Sequence, residues 1–227
     1  MHPDTSSNTT PLPRVPADSL PWLSIEQMVE ADRLAIEEFN ITLLQMMENA
    51  GSALAELAMR IAHEGRITIL AGGGNNGGGG LCAARHLANR GRNVEVVVAS
   101  DHPGEAARHH LETLAAMGIV PSEHPAGDVA IDALVGYGLR GPLRERMAEL
   151  AAWTSGRKTV SLDFPSGLGY PGAVEPAATL TLAFPKEGLR DVRPLYMADL
   201  GLPDRLWQRL GLEPGHPFRE GRIVEVE

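Results

Sequence analysis

The sequence predicts an α/β fold, in which a mostly parallel β-sheet is covered by helices on both faces. Three observations predict this fold. Short apolar segments of strand length alternate with longer segments of helical periodicity. A glycine-rich stretch follows the first of these strands directly. Two segments with helix-capping signals precede that strand, so the domain is expected to begin with two helices.

The two N-terminal helices are predicted from their first turns. Ser24 and Thr42 are each followed three residues later by glutamine, which is the pattern of a capping box. Apolar residues recur at helical spacing behind each cap, and Gly65 ends the second pattern. Both segments are therefore predicted to be helices that precede the first strand.

Strands and helices alternate after Gly65. The predicted strands are Arg66 to Leu70, Val94 to Ala99, Asp128 to Gly136, Thr159 to Phe164, Ala178 to Phe184 and a last strand within Pro194 to Pro203. The predicted helices between them are Leu81 to Asn89, Glu105 to Met117 and Leu143 to Trp153. Strands joined by helical crossovers pair in parallel, so the predicted sheet is Rossmann-like.

Composition and charge limit the class of protein. The net charge of −9 argues against a protein that binds nucleic-acid phosphates. A single cysteine excludes an intrachain disulfide and favours a reducing compartment, which we take to be the cytoplasm. The sequence has no apolar run of about 18 residues, so no membrane span is expected. Residues 1–20 are polar and rich in proline and are expected to form a flexible tail, followed by a single domain over residues 21–227.

The glycine run raises the first question about function. Seven of the nine residues from Gly72 to Gly80 are glycine. A glycine loop between a strand and a helix lies at the carboxyl edge of a parallel sheet, where helix N-termini bind phosphates. The run also satisfies the generic dinucleotide fingerprint, and Asp101 stands near the position of a ribose-binding acid. This allows an NAD-dependent dehydrogenase, although no Tyr-x-x-x-Lys pair is present.

Two later segments direct acidic side chains to the same edge. Asp132 ends the third predicted strand and precedes a loop with three glycines. Asp163 ends the fourth and precedes the sequence Pro-Ser-Gly. A lone aspartate at a strand end is commonly a cap or a turn former. Two of them beside one glycine-rich loop favour a functional site.

Several segments together resemble the YjeF N-terminal domain family, the NAD(P)H-hydrate epimerases. The segments are Met46 to Gly51, Gly72 to Leu87, Ile131 to Glu145, Leu162 to Leu168, Thr179 to Leu189 and Ala198 to Pro203, in that order. The resemblance covers roughly Leu23 to Pro203. It implies an enzyme that interconverts the R and S epimers of hydrated NADH and NADPH at C6 of the nicotinamide ring.

The resemblance also implies partners. In this family an ATP- or ADP-dependent dehydratase, often fused to the epimerase, removes water from the S epimer. The resemblance therefore implies a functional link to such a dehydratase, one potassium ion per subunit and a homodimer. The substrate would be the small molecules NADHX and NADPHX. Neither a nucleic acid nor a membrane is expected as a partner.

Site residues are carried over where this sequence matches the family motifs. Asn76, Asp132 and Ser166 resemble the ligands of the potassium ion. Asp163 resembles the catalytic carboxylate at the nicotinamide end and is also counted with the substrate-binding residues. The other implied substrate-binding residues are Asn75, Asn76, Gly77, Gly78, Gly79, Gly136, Tyr137, Gly138, Leu139, Arg140, Gly141 and Pro142.

Three departures from the family pattern leave an alternative open. Gly79 and Gly169 each stand where the family usually has an acid, and Tyr137 replaces a small residue. The missing acid at Gly79 borders the implied substrate loop. The alternative is a catalytically impaired member of the family that acts as a nucleotide-binding or scaffolding module. Asp132, Asp163 and Ser166 match the pattern and favour the enzyme.

Overall fold

The computed structural model describes residues 10–227 and contains one eight-stranded sheet. The strands are β1 Arg14–Val15, β2 Ile67–Ala71, β3 Val94–Val98, β4 Val129–Ala133, β5 Lys158–Leu162, β6 Ala178–Leu182, β7 Leu195–Ala198 and β8 Ile223–Val226. Their order is β1-β8-β7-β6-β5-β4-β2-β3. Every neighbouring pair is parallel except β7 and β8. The predicted mostly parallel α/β sheet is confirmed.

In the described part of the chain, six α-helices pack against the sheet, and only the first two begin at a side-chain cap. They are α1 Ile25–Glu37, α2 Leu43–Ile61, α3 Asn75–Asn89, α4 Glu105–Ala116, α5 Glu145–Trp153 and α6 Asp204–Arg209, with 3₁₀ turns at Ala17–Ser19 and Glu187–Leu189. Both predicted capping boxes are present, at Ser24 and at Thr42. Within residues 10–227, none of these helices has the length and apolar character needed to cross a bilayer.

Alternation along the central strands buries both faces of the sheet. In β2, Ile69 belongs to a core cluster that also contains buried residues of α2, α3 and α4. Its neighbour Leu70 belongs to a second cluster with Leu150 and Ala151 of α5. Successive side chains of a strand point to opposite faces. Helices therefore cover both sides, and the central strands β2 and β4 are buried along their whole length.

The two ends of the chain differ from the prediction. The predicted tail covers residues 1–20, of which residues 1–9 lie outside the described part of the chain. Arg14–Val15 form β1, which pairs in parallel with β8. The strand within Pro194 to Pro203 is also not the last one, because β8 follows it and pairs with it antiparallel. These edge strands have two to four residues, too few for sequence periodicity to reveal them.

Helix α3 begins six residues earlier than the sequence predicts. The prediction starts the helix at Leu81, but four consecutive glycines lie inside its first turns. A Cβ on Gly77 would lie 1.9 Å from the carbonyl oxygen of Gly72, and one on Gly80 would lie 2.4 Å from Cβ of Ala133. The glycines are therefore required by the close approach of α3 to the sheet. Helix propensity alone disfavours them.

The strand order places a crevice beside α3. The chain runs from β2 out to β3 on one side and then returns to β4 on the other side of β2. Loops from the carboxyl ends of β2 and β4 therefore separate at this point. Crevices of this kind are where open α/β sheets bind ligands.

Glu95 is a buried residue of β3 that connects β2 and β3 to the loop before β4. Oε2 of Glu95 accepts hydrogen bonds of 2.7 Å from Thr68 Oγ1 and from the N–H of Ala126. Arg66 lies 2.9 Å from the other carboxylate oxygen. Burial opposes ionisation, but the hydrogen bonds and the Arg66 charge outweigh it and lower the pKa of Glu95. The charged form is therefore favoured by folding.

We expect Glu95→Gln to remove stability that depends on pH. A carboxylate with a lowered folded pKa stabilises the protein above its unfolded pKa, about 4.3. That contribution is lost as the pH falls through the folded value. Urea denaturation should therefore show a gap in unfolding free energy between wild type and variant at neutral pH that closes on acidification. A gap that is constant with pH would contradict this account of Glu95.

Candidate active site

A pocket of about 350 Å³ occupies the crevice at the carboxyl edge of the sheet. One wall is formed by the start of α3 and by the loop after β4, including Gly136 and Tyr137. The opposite wall is formed by apolar residues of α2, such as Met46 and Met47, and by Met28 of α1. The lining is mostly apolar with a few polar groups, as is usual for sites that bind small molecules.

Asp163 lies in this pocket as half of a buried ion pair. It follows β5 directly, is 3% exposed and has a positive φ of 66°. Lys186 is fully buried and donates a 2.7 Å hydrogen bond to Oδ1 of Asp163. The remaining donors of this ammonium reach Thr181 Oγ1 and the carbonyl oxygen of Leu182. Lys186 is thus fully hydrogen-bonded and holds the Asp163 carboxylate at the pocket wall.

The second oxygen of Asp163 faces the glycine loop after β4. Oδ2 accepts a 3.2 Å hydrogen bond from the N–H of Tyr137. A Cβ on Gly136 would lie 2.7 Å from this oxygen and 3.2 Å from Oδ1 of Asn76. Only a residue without a side chain leaves this space open between the carboxylate and the amide.

We expect Gly136→Ala to abolish binding in the pocket, whereas Gly138→Ala should be tolerated. Nothing lies within 4 Å of a Cβ on Gly138, although both glycines belong to the same loop. Titration calorimetry with the hydrated dinucleotide that the family resemblance implies as ligand would measure the difference. Equal affinity in the two variants would show that the gap at Gly136 is not used.

The start of α3 presents backbone donors to the pocket. Gly74 is the N-cap residue and supplies no side-chain cap. The N–H groups of the first turn therefore keep free donors, and the helix dipole adds positive potential. Asn75 and Asn76 of this turn both line the pocket. This arrangement is suited to a phosphate or diphosphate group.

Asp132 is buried behind this wall with Ser166. Its carboxylate is fully buried, and Ser166 donates to it twice, from Oγ at 2.6 Å and from N–H at 2.8 Å. Ser161 Oγ donates a third bond of 2.7 Å. Burial raises the pKa of Asp132, against these hydrogen bonds. The amide nitrogen of Asn76 is buried without a partner among the described residues.

Tyr137 connects the two sides of the pocket. Its backbone N–H donates to Asp163, and its phenol donates a 2.8 Å hydrogen bond to Oδ2 of Asp32 on α1. Burial raises the pKa of the Tyr137 phenol, as does the neighbouring Asp32 charge. The phenol is therefore a neutral hydrogen-bond donor. The loop after β4 is thereby tied to the N-terminal helix.

The structure brings about half of the predicted site residues to this pocket, seven of fifteen. Those that line it are Asn75, Asn76, Gly79, Gly136, Tyr137, Gly138 and Asp163. The remaining predicted residues do not line it: Gly77 and Gly78 are buried in α3, Asp132 and Ser166 lie buried behind the wall, and Leu139, Arg140, Gly141 and Pro142 follow farther along the loop. Asp101, which the generic fingerprint singles out, is exposed and outside the pocket.

Sequence reasoning missed two ionisable residues of the pocket, Lys186 and Asp32. Lys186 is one of only two lysines and lies two residues after a predicted strand, a signal that could have drawn attention to it. Asp32 sits among the charged residues of α1 and carries no such signal. Only the packing of α1 against the pocket distinguishes it from its exposed neighbours.

A second cluster of ionisable side chains lies between α2 and α3, away from the pocket. Glu48, Cys82 and His86 place one potential ligand atom each within 4.8 Å of the others. The guanidinium of Arg85 contacts all three and forms an ion pair with Glu48. Burial raises the pKa of Cys82 to about 12, so the thiol stays protonated. This cluster joins two helices through an ion pair.

Comparison with known proteins agrees with the predicted resemblance. The family model described as YjeF-related protein N-terminus matches residues 43–188. An NAD(P)H-hydrate epimerase of Dehalogenimonas lykanthroporepellens is 41% identical, over 90% of this chain and 92% of that protein. The bifunctional NAD(P)H-hydrate repair enzyme Nnr of Salinibacter ruber is 34% identical, over 86% of this chain and 43% of that protein.

A solved structure shares the fold. The crystal structure of the yeast protein ynu0 superimposes with a TM-score of 0.77 at 23% identity, over 91% of this chain and all of that chain. This likeness supports the fold alone. The family model covers more than half of the chain, and the Dehalogenimonas protein is similar over nearly its whole length. The chain therefore belongs to the YjeF-related N-terminal family.

Proposed function

We propose that this protein is an NAD(P)H-hydrate epimerase, which interconverts the R and S epimers of hydrated NADH and NADPH. The observation that carries the proposal is the pocket in which buried Asp163, paired with Lys186, faces the free N-terminus of α3. Relatives named as epimerases over most of this chain's length support the same activity.

The pocket fits the two ends of a hydrated dinucleotide. Free N–H groups of α3 suit the diphosphate, and the apolar wall of α2 suits a nicotinamide ring. Epimerisation at C6 requires the ring hydroxyl to leave and to return. We assign Asp163 to this proton transfer, because a pocket carboxylate can give and take a proton in turn. Lys186 would keep that carboxylate in place.

We also propose a potassium site at Asn76, Asp132 and Ser166. The donor set consists of carboxylate, hydroxyl and amide oxygens, which suit a hard cation. The buried Asn76 amide has a nitrogen without a partner among the described residues. Rotation of the amide group so that its oxygen and nitrogen exchange places would put the oxygen at this position. A bound potassium ion would offset the charge of buried Asp132. We expect potassium chloride, compared with choline chloride, to raise the melting temperature of wild type but not of Asp132→Asn.

The alternative is a family member that binds the nucleotide without turnover. One observation favours it: a Cβ on Gly79 would lie 2.9 Å from Leu162 Cδ2, so this position leaves little room for an acid. Gly169 is exposed and does not line the pocket, so its missing acid carries less weight. Binding of the hydrated dinucleotide without activity would mark this alternative.

A coupled assay tests the proposal. A mixture of both epimers of hydrated NADH is incubated with an S-specific dehydratase and ATP, and NADH is followed by its absorbance. The dehydratase consumes the S epimer quickly and the R epimer only as fast as it epimerises. We expect the protein, with potassium present, to convert the slow phase into a fast one. An unchanged slow phase at high protein concentration would reject the activity.

The dehydratase used in this assay is also the proposed cellular partner. Bifunctional relatives named as repair enzymes support a functional link to an NAD(P)H-hydrate dehydratase. We propose the cytoplasm as the compartment, which the single, buried cysteine supports. The homodimer implied by the family resemblance stays a prediction, which sedimentation equilibrium would check.

A further inference from the structure

The stereochemistry of the proposed reaction sets a requirement on the pocket. Inversion at C6 means that oxygen leaves one face of the ring and is added to the opposite face. Each event involves a proton transfer to or from that oxygen. In enzymes that invert a sugar centre, two carboxyl groups serve the two faces, with room for water between them. Asp163 alone lies on one side of the pocket.

A second carboxylate lies on the other side. Asp32 lies on α1 and lines the same pocket as Asp163. Asp163 lies at the edge of the sheet. Tyr137 spans the distance between the two carboxylates. Its backbone N–H donates a hydrogen bond to Asp163, and its phenol donates one to Asp32. Oδ1 of Asp32 has no hydrogen-bond partner among the described residues. A flat ring between the sheet edge and α1 would therefore have one carboxyl group on each face.

The two carboxyl groups have opposite surroundings. Burial raises the pKa of Asp32, and the charge of Asp163 adds to this, against the Tyr137 hydrogen bond and the Lys186 charge. Asp163 instead accepts hydrogen bonds from the buried Lys186 ammonium and from the backbone N–H of Tyr137. Paired carboxyl groups in unlike surroundings commonly divide into an acid and a base.

We propose that Asp32 is a second catalytic residue, which exchanges a proton with the substrate hydroxyl on the face of the ring opposite Asp163. This inference rests on the proposed epimerase function. Tyr137 is a positioning residue, because its phenol holds one oxygen of Asp32 and leaves the other free to reach the substrate.

The proton transfers balance with water as the co-reactant. The C6–O bond breaks on the Asp32 face, the oxygen takes the Asp32 proton and leaves as water, and the N1 lone pair forms an N1=C6 bond. A water on the Asp163 face then bonds to C6 and gives a proton to Asp163, while the N1=C6 electron pair returns to N1. The reverse reaction exchanges the two roles, and solvent restores the protons after product release.

Asp32→Asn tests the proposal by removing the proton while keeping an oxygen that can accept the Tyr137 hydrogen bond. We expect kcat to fall by about 10²-fold or more, with KM nearly unchanged. The basic limb of the pH profile should also disappear, since it reports loss of the Asp32 proton. The matched control is Glu37→Gln, which removes an exposed carboxylate of the same helix, paired with Arg33, and should leave activity unchanged.

Tyr137→Phe keeps the proposal testable if Asp32→Asn does not fold. Loss of the phenol removes a hydrogen bond that favours charged Asp32, so the basic limb should move to higher pH. The other groups that face Asp32, Lys186 and Asp163, are unchanged in this variant. Suppose that the wild type is active, and that either Asp32→Asn keeps full activity or the basic limb of the pH profile does not move in Tyr137→Phe. This result would overturn the role of Asp32 and leave the epimerase function standing. An inactive wild type would reject both.

Discussion

Asp163→Asn is expected to lower the rate of epimerisation by about 10³-fold. Asparagine keeps the shape of the side chain and tolerates the left-handed conformation at this position, where φ is 66°. It cannot take the proton that the reaction requires of it. The coupled dehydratase assay measures the loss, with enough enzyme to exceed the spontaneous rate.

The control for Asp163→Asn is Asp101→Asn. Asp101 is exposed outside the pocket, although the generic dinucleotide fingerprint would place it at a ribose. We expect full activity in this variant. Loss of activity in Asp101→Asn together with normal activity in Asp163→Asn would move the site to the loop after β3 and reject the assignment of the pocket.

Lys186→Met is expected to cost about 3–5 kcal/mol of unfolding free energy, because it leaves the buried Asp163 carboxylate without its cation. Lys186 is fully buried, and its ammonium has three acceptors. At the size of this protein the loss corresponds to a fall in melting temperature of about 10 °C. Urea denaturation at neutral pH measures it directly.

A double-mutant cycle separates the ion pair from simple packing. In Asp163→Asn with Lys186→Met neither charge remains, so the combined cost should be smaller than the sum of the two single costs, by about 1–3 kcal/mol. Lys158→Met is the matched control, because Lys158 is the other lysine and is exposed. Additive single costs would show that Lys186 contributes through its aliphatic chain alone.

The two assignments have different consequences for activity. If Asp163 performs the proton transfer, Lys186→Met should reduce kcat even under conditions where the variant is fully folded. If Asp32 acts on the opposite face, its asparagine variant should leave stability nearly unchanged while the pH profile loses a limb. Measuring stability and pH dependence together therefore distinguishes a structural pair from a catalytic one.

The sequence by itself determined the alternation of strands and helices, both capping boxes and the aspartates at the carboxyl ends of β4 and β5. These features are local: a cap needs two residues of one turn, and a buried parallel strand is apolar along its own length. The strand ends of a parallel sheet share one edge, so sequence also predicted that Asp163 and the glycine run would meet.

Only the tertiary structure decided the start of α3 and the pairs at Asp163. Glycine disfavours a helix by its own propensity, and the close approach of Gly77 and Gly80 to the sheet is a property of two packed elements. Lys186 meets Asp163 because β5 and β6 are neighbours, and Asp32 enters the pocket because α1 packs over it. These contacts join residues 23 and more positions apart, which is beyond the range of local sequence patterns.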